Sequence, residues 1–289
     1  MTDLRKHCYI CKCQEFGRRE GSVRDAPNLD ILECKECGLV TLSSSTHIQT
    51  GHYEESGMHG SDLPSIESWL RATEQDDQRR CEMLRPLLTN RRTLDFGCGA
   101  GGFVQKARAS AAEVAGVEPE CRVRDYWGED LTIYSSLEKV GRGYDLITAF
   151  HVVEHLPDPR TVLTELAACL GHGGRMVIEV PNSDDALLTL YASPACQNFC
   201  YWSQHLFLFN AETLRRLANQ AGLRVLSIQQ YQRYPLSNHL YWLSRNRPGG
   251  HQDWTFLDSP ALTEAYTASL AALGKCDTLI AHLEMAYID

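Results

Sequence analysis

A glycine-rich turn behind a short apolar segment constrains the fold of this chain more than any other feature. Residues 94–103 read LDFGCGAGGF, in which an apolar run leads into glycines and then into a helical pattern. Glycine adopts positive φ angles without steric penalty and lets a ligand approach bare backbone. The N-terminus of the following helix offers unpaired N–H groups. The motif therefore predicts a strand–turn–helix unit that can hold a ligand on its turn.

Short apolar runs alternate with helical patterns before and after this turn. The predicted strands are residues 93–96, 113–117, 131–134, 145–150, 175–180 and 223–228. The predicted helices between them include residues 102–110, 160–170 and 211–221. Alternation of this kind is typical of a parallel sheet with helices on both faces. The sequence therefore predicts an α/β fold with a Rossmann-like sheet.

The chain divides into three predicted parts. Residues 1–45 contain five of the twelve cysteines and form a small cysteine-rich module. Residues 46–90 form a connector and a helical segment, and residues 91–289 form the main domain. An insertion over about residues 230–275 precedes a last predicted strand at residues 278–283. A chain of 289 residues has room for one large domain and a small appendage.

Asp95 decides between two interpretations of the glycine turn. GCGAGG at residues 97–102 matches the dinucleotide fingerprint G-x-G-x-x-G, with Glu118 about 20 residues after it. The pattern D-x-G-x-G-x-G, which begins at Asp95, matches instead the turn that binds S-adenosylmethionine (SAM). A carboxylate at the strand end would repel a pyrophosphate and attract the cationic methionine end of SAM. The sequence therefore favours SAM, and a turn without any ligand is the structural alternative.

Two further strand ends agree with a ligand at this edge of the sheet. VAGVEP at residues 114–119 predicts a strand that ends in Glu118, whose carboxylate can accept both ribose hydroxyls. The predicted fourth strand runs into HVVEHLPDP at residues 151–159. Together these motifs resemble the class I SAM-dependent methyltransferases, in particular the group whose fourth strand ends in xxxxEHLxDP. The resemblance covers about residues 75–229 and implies an enzyme with that fold and cofactor.

The resemblance also implies roles for individual residues. The methionine end of SAM would contact Asp95, Gly97, Cys98, Gly99 and Gly101. Its ribose would bind to Glu118, and its adenine would lie beside Ser136 and Leu137. The cofactor would lie above Phe150 and His151.

The acceptor is indicated by a second resemblance. YWSQHLF at residues 201–207 resembles the acceptor-side loop of methyltransferases that act on sugars and sugar nucleotides. That loop commonly carries a Glu-His pair with the histidine as base, and here the pair is Gln204-His205. The aromatic residues that would form the acceptor wall are Tyr191, Phe199, Tyr201 and Trp202. The resemblance implies methylation of a hydroxyl or carbon of a sugar, a nucleotide sugar or a surface polysaccharide.

Two histidines at predicted strand ends can take the proton that methylation of a hydroxyl releases. Imidazole is the usual base near neutral pH. His205 is the candidate general base, and His155 also lies at a strand end, where it is better suited to pinning its loop. Both can instead be satisfied core histidines. A metal-dependent alternative resembles the divalent-ion site of small-RNA 2′-O-methyltransferases and would use His151, Glu154, His155 and His205.

Two C-x-x-C pairs predict a structural zinc site near the N-terminus. Cys8 and Cys11 form the first pair, and Cys34 and Cys37 form the second after a spacer of 22 residues. Four thiolates surround Zn²⁺ tetrahedrally and leave no open coordination position, so this metal would be structural. Cys13 is a spare thiol or an alternative ligand, and four reduced cysteines without metal are the other possibility. Similar modules precede sugar-modifying methyltransferases and a ribosomal-RNA guanine methyltransferase.

Charge and hydropathy limit the remaining function classes. The formal net charge of −9 argues against nucleic acid as a partner, because phosphate contacts need a basic surface. No apolar run approaches the ~20 residues that span a bilayer, and residues 1–8 lack a signal-peptide core, so a cytoplasmic location is expected. Residues 231–251 suit an acceptor contact, a lid or an oligomer contact. The alternatives to a small-molecule methyltransferase are an RNA methyltransferase and a binding protein with a vestigial SAM fold.

Overall fold

Strands and helices alternate along the main part of the chain, as the hydrophobic pattern predicts. The computed structural model describes residues 6–49, 51–59 and 62–286. Its strands are β1 (Phe16–Arg18), β2 (Ile31–Cys34), β3 (Val40–Leu42), β4 (Arg92–Phe96), β5 (Glu113–Val117), β6 (Ile133–Tyr134), β7 (Tyr144–Phe150), β8 (Leu170–Pro181), β9 (Phe207–Leu208), β10 (Leu223–Tyr231) and β11 (Thr278–Met285). Its α-helices are α1 (Ile66–Leu88), α2 (Gly102–Ala107), α3 (Cys121–Trp127), α4 (Pro159–Cys169), α5 (Pro194–Cys200), α6 (Ala211–Gln220), α7 (Leu236–Arg245), α8 (Gly250–Asp253) and α9 (Pro260–Ala272).

The central sheet has seven strands in the order β10-β11-β8-β7-β4-β5-β6. Strands β4 to β8 pair in parallel, whereas β11 lies antiparallel between β8 and β10. Leu94, Ile147 and Ile178 in the parallel strands are fully buried. Near-continuous apolar strands of this kind are expected where both faces of a parallel sheet are covered. The predicted Rossmann-like α/β sheet is confirmed.

The last strand enters the sheet after a helical excursion. Helices α7, α8 and α9 lie between β10 and β11 in the chain, within the predicted insertion. Leu279, Ile280 and Ala281 of β11 are fully buried, because this strand has a neighbour on each side. The strand predicted at residues 278–283 therefore forms and continues to Met285.

Two predicted elements are shorter in the structure. The helix predicted over residues 102–110 ends at Ala107, because the N–H groups of Ala109 and Ser110 bond to carbonyls only three residues back. The strand predicted over residues 131–134 begins at Ile133.

Helix α1 places charged side chains where the sequence pattern suggests only an amphipathic surface helix. Ser65 caps its N-terminus by accepting a hydrogen bond from the N–H of Ser68 at 3.2 Å. Leu84 is fully buried, as the apolar spacing predicts. Asp77 and Arg80 are also buried. Charged residues are seldom buried without a partner, so this face of α1 points to a polar site.

The cysteine-rich segment forms a second, four-stranded sheet with the order β1-β2-β3-β9. Strand β9 comes from the main part of the chain and pairs with β3 through Val40–Leu208 and Thr41–Phe207. The Thr41 hydroxyl also donates to the carbonyl oxygen of Leu206 at 3.0 Å. The segment that follows His205 is thus one edge of the N-terminal sheet.

Candidate active site

A cavity of about 800 Å³ opens at the carboxyl ends of β4, β5, β7 and β8. Its volume is in the range of small-molecule and cofactor sites, and ligands of open α/β sheets bind at this edge. Its walls also include Arg24 from the loop between β1 and β2, Tyr53 and His59 from the connector, and Trp242 from α7. Segments far apart in sequence therefore enclose one site.

The predicted site residues divide into two groups in the structure. Those that line the cavity are Asp95, Gly97, Cys98, Gly99, Glu118, Phe150, His151, His155 and His205. Among the described residues, Gly101, Ser136 and Leu137 lie outside this lining. An added Cβ at Gly101 would meet Trp127 Nε1 at 2.7 Å, so this glycine serves the turn itself. Ser136 and Leu137 follow the two-residue strand β6 at the edge of the sheet.

The glycine turn requires glycine for two separate reasons. Gly97 and Gly99 have φ angles of +69° and +52°, which other residues rarely adopt. An added Cβ at Gly97 would lie 2.5 Å from Cγ2 of Val152, and one at Gly99 would lie 3.0 Å from the ring of Trp69. Trp69 belongs to α1, so this helix packs directly on the turn. The backbone of the turn is the wall of the cavity.

Two buried carboxylates flank the turn. Asp95 accepts a hydrogen bond from the Thr148 hydroxyl at 2.7 Å. Glu118 accepts from the N–H groups of Gly99 at 2.9 Å and Glu120 at 3.0 Å. Burial raises the pKa of Asp95 to about 7 and that of Glu118 to about 7. A cationic ligand with hydroxyl groups would restore the ionised form of both.

A buried charge network supports the end of β7. Glu179 is 0% exposed and accepts hydrogen bonds from Arg79 at 2.8 and 3.0 Å and from Arg80 at 2.8 Å. His151 Nε2 lies 3.2 Å from Glu179, and its Nδ1 lies 3.2 Å from Glu154. Burial opposes ionisation of Glu179, but His151 and Arg80 outweigh it and hold the pKa of this carboxyl well below its usual range. His151 is thus fixed between two carboxylates.

Sequence reasoning missed Arg79, Arg80 and Glu179. A signal was present, because Glu179 interrupts the otherwise apolar run MVIEV in a predicted buried strand. A carboxylate there needs a cation on a neighbouring element. Helix α1 supplies that cation from about a hundred residues away in the chain, which no local pattern reveals.

His155 and His205 meet beside Glu154. His155 Nδ1 lies 3.0 Å from the carbonyl oxygen of Gln204, which can only accept, so Nδ1 carries the proton and Nε2 keeps its lone pair. The His205 ring lies 4.9 Å from the His155 ring. Burial lowers the pKa of His205 to about 3, so its imidazole is neutral at pH 7. One ligand atom from each of Glu154, His155 and His205 lies within 4.8 Å of the others.

Glu154 brings a carboxylate oxygen within 4.8 Å of a His205 ring nitrogen, although the sequence has Gln204 where the resembling loop has a glutamate. The Glu154 side chain is 0% exposed, and its Oε2 has no hydrogen-bond partner among the described residues. His205 Nδ1 is likewise buried without such a partner. Gln204 instead faces the connector, where its Oε1 lies 2.7 Å from Nε2 of His52.

The predicted aromatic wall is only half formed. Phe199 and Trp202 line the cavity. Tyr201 is buried in the core at 1% exposure, and the Tyr191 hydroxyl bonds to that of Tyr266 at 2.8 Å. Trp242 of α7, 5.3 Å from the Phe199 ring, adds an aromatic surface that the sequence did not assign.

The four predicted zinc ligands come together in a separate group. One sulfur from each of Cys8, Cys11, Cys34 and Cys37 lies within 4.8 Å of the others. The Cys8–Cys37 and Cys11–Cys34 sulfur distances are both 3.5 Å, close to the roughly 3.8 Å edge of a tetrahedron with Zn–S bonds of about 2.3 Å. Cys13 lies outside this group.

The fold and the cavity define a Rossmann-like α/β protein with its ligand site at the carboxyl ends of the parallel strands. The chain belongs to the Methyltransferase domain family, which it matches over residues 71–228. The match begins inside α1, so the cysteine-rich segment precedes it. Among the described residues, every helix is too short or too polar to cross a bilayer.

Individual relatives agree with this family. A ubiquinone biosynthesis O-methyltransferase of Coxiella burnetii is 27% identical over 177 residues, covering 55% of this chain and 74% of that protein. The Aeromonas salmonicida enzyme of the same name is 27% identical over 168 residues, covering 52% and 70%. A SAM-dependent methyltransferase structure from Archaeoglobus fulgidus superposes with a TM-score of 0.50 at 19% identity, covering 75% of this chain and 97% of that one.

The chain is therefore a SAM-dependent methyltransferase, as the glycine turn and strand ends predict. The predicted likeness to sugar-modifying enzymes finds no support in these relatives, which are named for ubiquinone biosynthesis.

Proposed function

We propose that the protein transfers the methyl group of SAM to a hydroxyl of a small cyclic acceptor, with His205 as the general base. The observation that carries this proposal is the neutral, half-buried His205 beside the carboxylate of Glu154 in the cavity of the glycine turn. The relatives' names favour a phenolic quinone precursor, and the loop resemblance favours a sugar. Both kinds of ring stack on aromatic side chains such as Trp202.

The cavity residues fit SAM. Bound SAM supplies an electrophilic methyl group on a sulfonium. Gly97, Cys98 and Gly99 would surround its methionine end, since side chains at either glycine would fill that space. Asp95 would attract the cation and Glu118 would accept from the ribose, two roles that suit buried carboxylates whose pKa values burial has raised.

The remaining cofactor assignments rest on position alone. Phe150 and His151 at the end of β7 would lie under the cofactor, with His151 held by its two carboxylates. Gly101 would act through the shape of the turn. Ser136 and Leu137 would be adenine neighbours only if that ring extends beyond the cavity lining toward β6.

His205 would accept the acceptor's proton, and Glu154 would stabilise the resulting imidazolium. The neutral ring has a free lone pair because burial disfavours its charged form. The unpartnered Oε2 of Glu154 offers a compensating negative charge. His155 would position this loop through its bond to the Gln204 carbonyl.

A divalent ion on Glu154, His155 and His205 is the second candidate arrangement, favoured by the proximity of their ligand atoms. His151 would not be the fourth ligand, because it lies outside this group of ligand atoms and its two nitrogens lie 3.2 Å from Glu154 and Glu179. Such a site would have three protein ligands and open positions, as catalytic metals do.

A methyl-transfer screen tests the proposed function. Full-length protein and radiolabelled SAM are incubated with catechols and hydroxylated quinone precursors, with nucleotide sugars, and with bulk RNA. We expect label on a hydroxyl of one small-molecule class and background label on RNA, because the cavity encloses a small ligand. Label on RNA alone, or well-folded protein that fails to bind SAM, would contradict the proposal.

We further propose that Cys8, Cys11, Cys34 and Cys37 hold one structural zinc ion. Both pairs form similar turns, in which Lys12 and Gly38 donate N–H bonds to the carbonyls of Cys8 and Cys34 at 3.0 and 2.9 Å. These knuckles bring four thiolates to one point, and a bound Zn²⁺ would offset their mutual repulsion.

Cys34→Ser should reduce the zinc content from about one ion per chain to near zero and lower the melting temperature. Elemental analysis by mass spectrometry of protein purified without chelator measures the first effect, and calorimetry the second. Cys121→Ser is the control, because Cys121 is exposed and lies outside the four-thiol group. Wild-type protein without zinc would rule out the site.

A further inference from the structure

The spacer between the two C-x-x-C pairs reaches the acceptor side of the cavity. An added Cβ at Gly21, whose φ is +115°, would lie 2.8 Å from the backbone of α5. The N–H of Arg24 donates to the carbonyl oxygen of Tyr201 at 3.0 Å. Asp25 accepts hydrogen bonds from the N–H of Ser203 at 2.9 Å and from its hydroxyl at 2.7 Å. The spacer loop is therefore fixed to the segment that carries His205.

Arg24 lines the cavity at the end of this loop. Its guanidinium carbon lies 4.8 Å from the ring centre of Trp202 and 5.3 Å from that of Phe199. Cation–π contact holds the guanidinium while its N–H edges stay available. The Trp202 ring is in turn 5.4 Å from the ring of His205. Arg24 and the candidate base His205 therefore both pack against the Trp202 ring.

The guanidinium of Arg24, an exposed residue, acts on the neighbouring Asp25 carboxylate only through space, because Asp25 hydrogen-bonds to Ser203 instead. Of the other arginines that line the cavity, Arg80 pairs with Glu179 at 2.8 Å, and Arg233 pairs with Asp76. Arg24 forms no ion pair with any residue that the structure describes. A cation held in place at a ligand cavity without a counter-ion is suited to an anion from outside the protein.

We infer that Arg24 binds an anionic group of the methyl acceptor, a carboxylate or a phosphate, an inference that rests on the proposed function. The guanidinium fork matches either group in a bidentate manner. Asp95 and Glu118 at the glycine turn would repel the same anion. The acceptor would therefore enter in one orientation, with its anion on Arg24 and its ring against Trp202. Its hydroxyl would then face His205.

Anion binding can be measured without turnover. Full-length protein saturated with S-adenosylhomocysteine is titrated with uridine diphosphate and, separately, with 3,4-dihydroxybenzoate, and tryptophan fluorescence reports binding because Trp202 contacts Arg24. We expect Arg24→Ala to lower the affinity for whichever probe the wild type binds by about tenfold or more, which is the usual effect of losing a hydrogen bond to a charged group. Arg24→Lys should retain part of the affinity, because lysine keeps the positive charge but lacks the two parallel N–H donors of the guanidinium group.

The controls separate this inference from other roles of Arg24. Arg18→Ala removes an exposed arginine of strand β1 in the same cysteine-rich segment, paired with Asp30 at 3.5 Å, and should leave probe binding unchanged. S-adenosylhomocysteine affinity and zinc content should be equal in all variants. The probe that responds shows whether the anion is a phosphate or a carboxylate.

Three results would overturn the inference. They are a wild-type protein that binds neither probe, an Arg24→Ala variant that binds both as the wild type does, and an equal loss of S-adenosylhomocysteine affinity in that variant. Arg24-dependent probe binding without methyl transfer to any acceptor would instead count against the proposed function alone.

Discussion

Gly99→Arg should abolish SAM binding in a chain that still folds. The new side chain would start 3.0 Å from the ring of Trp69 and extend into the cavity beside Glu118, whose carboxylate accepts from the Gly99 N–H. An arginine there would pair with Glu118 and occupy the proposed ribose and methionine positions. We expect affinity to fall by at least about a hundredfold, ~2.7 kcal/mol. Isothermal titration calorimetry with SAM and S-adenosylhomocysteine measures it.

Gly128→Arg is the matched control for this substitution. Gly128 has a φ of +50°, close to the +52° of Gly99, but an added Cβ there meets nothing within 4 Å. Both variants place an L-residue at a positive φ, and Gly128→Arg does so without the contact with Trp69. The loss of stability should therefore be shared and the loss of binding confined to Gly99→Arg. Wild-type SAM affinity in Gly99→Arg would remove the turn from the cofactor site.

Local chemistry explains why the cofactor side of the fold could be predicted. The turn needs glycine because of its φ angles and close contacts, and its two acids lie at the ends of strands whose apolar runs are visible in the sequence. Every step there depends on neighbouring residues, and the parallel pairing of β4 and β5 then brings Asp95 and Glu118 to one edge. The grouping of the four cysteines could be predicted for the same reason, because each C-x-x-C pair forms its own local turn.

The acceptor side could not be predicted in the same way. Strand β9 has two residues, too few for any periodicity, yet it fixes the segment after His205 to the N-terminal sheet. Glu154 comes from a different strand end than residue 204, and its carboxylate oxygen lies within 4.8 Å of a His205 ring nitrogen. Arg24 reaches the cavity from a polar spacer that carries no apolar pattern. These placements depend on tertiary pairing between distant segments.

His205→Ala should lower kcat by about 10²–10⁴-fold, the usual contribution of a general base, and leave SAM affinity within about twofold. The imidazole is neutral and has no hydrogen-bond partner at Nδ1 among the described residues, so the substitution removes no hydrogen bond at that nitrogen. Glu154→Gln should also lower kcat, because the amide cannot stabilise an imidazolium. Steady-state kinetics on the acceptor from the screen, with calorimetry for SAM, gives both quantities.

A control variant and a measurement with a chelator distinguish His205 as a general base from His205 as a metal ligand. His172→Ala removes an exposed histidine at the far end of β8 and should leave kcat unchanged. EDTA, at a concentration that leaves the zinc proposed for the four cysteines in place, should not affect a proton transfer between His205 and Glu154. Loss of activity with EDTA and recovery with added Mg²⁺ or Mn²⁺ would assign Glu154, His155 and His205 to a metal ion instead. Wild-type turnover in His205→Ala would exclude this histidine from either mechanism.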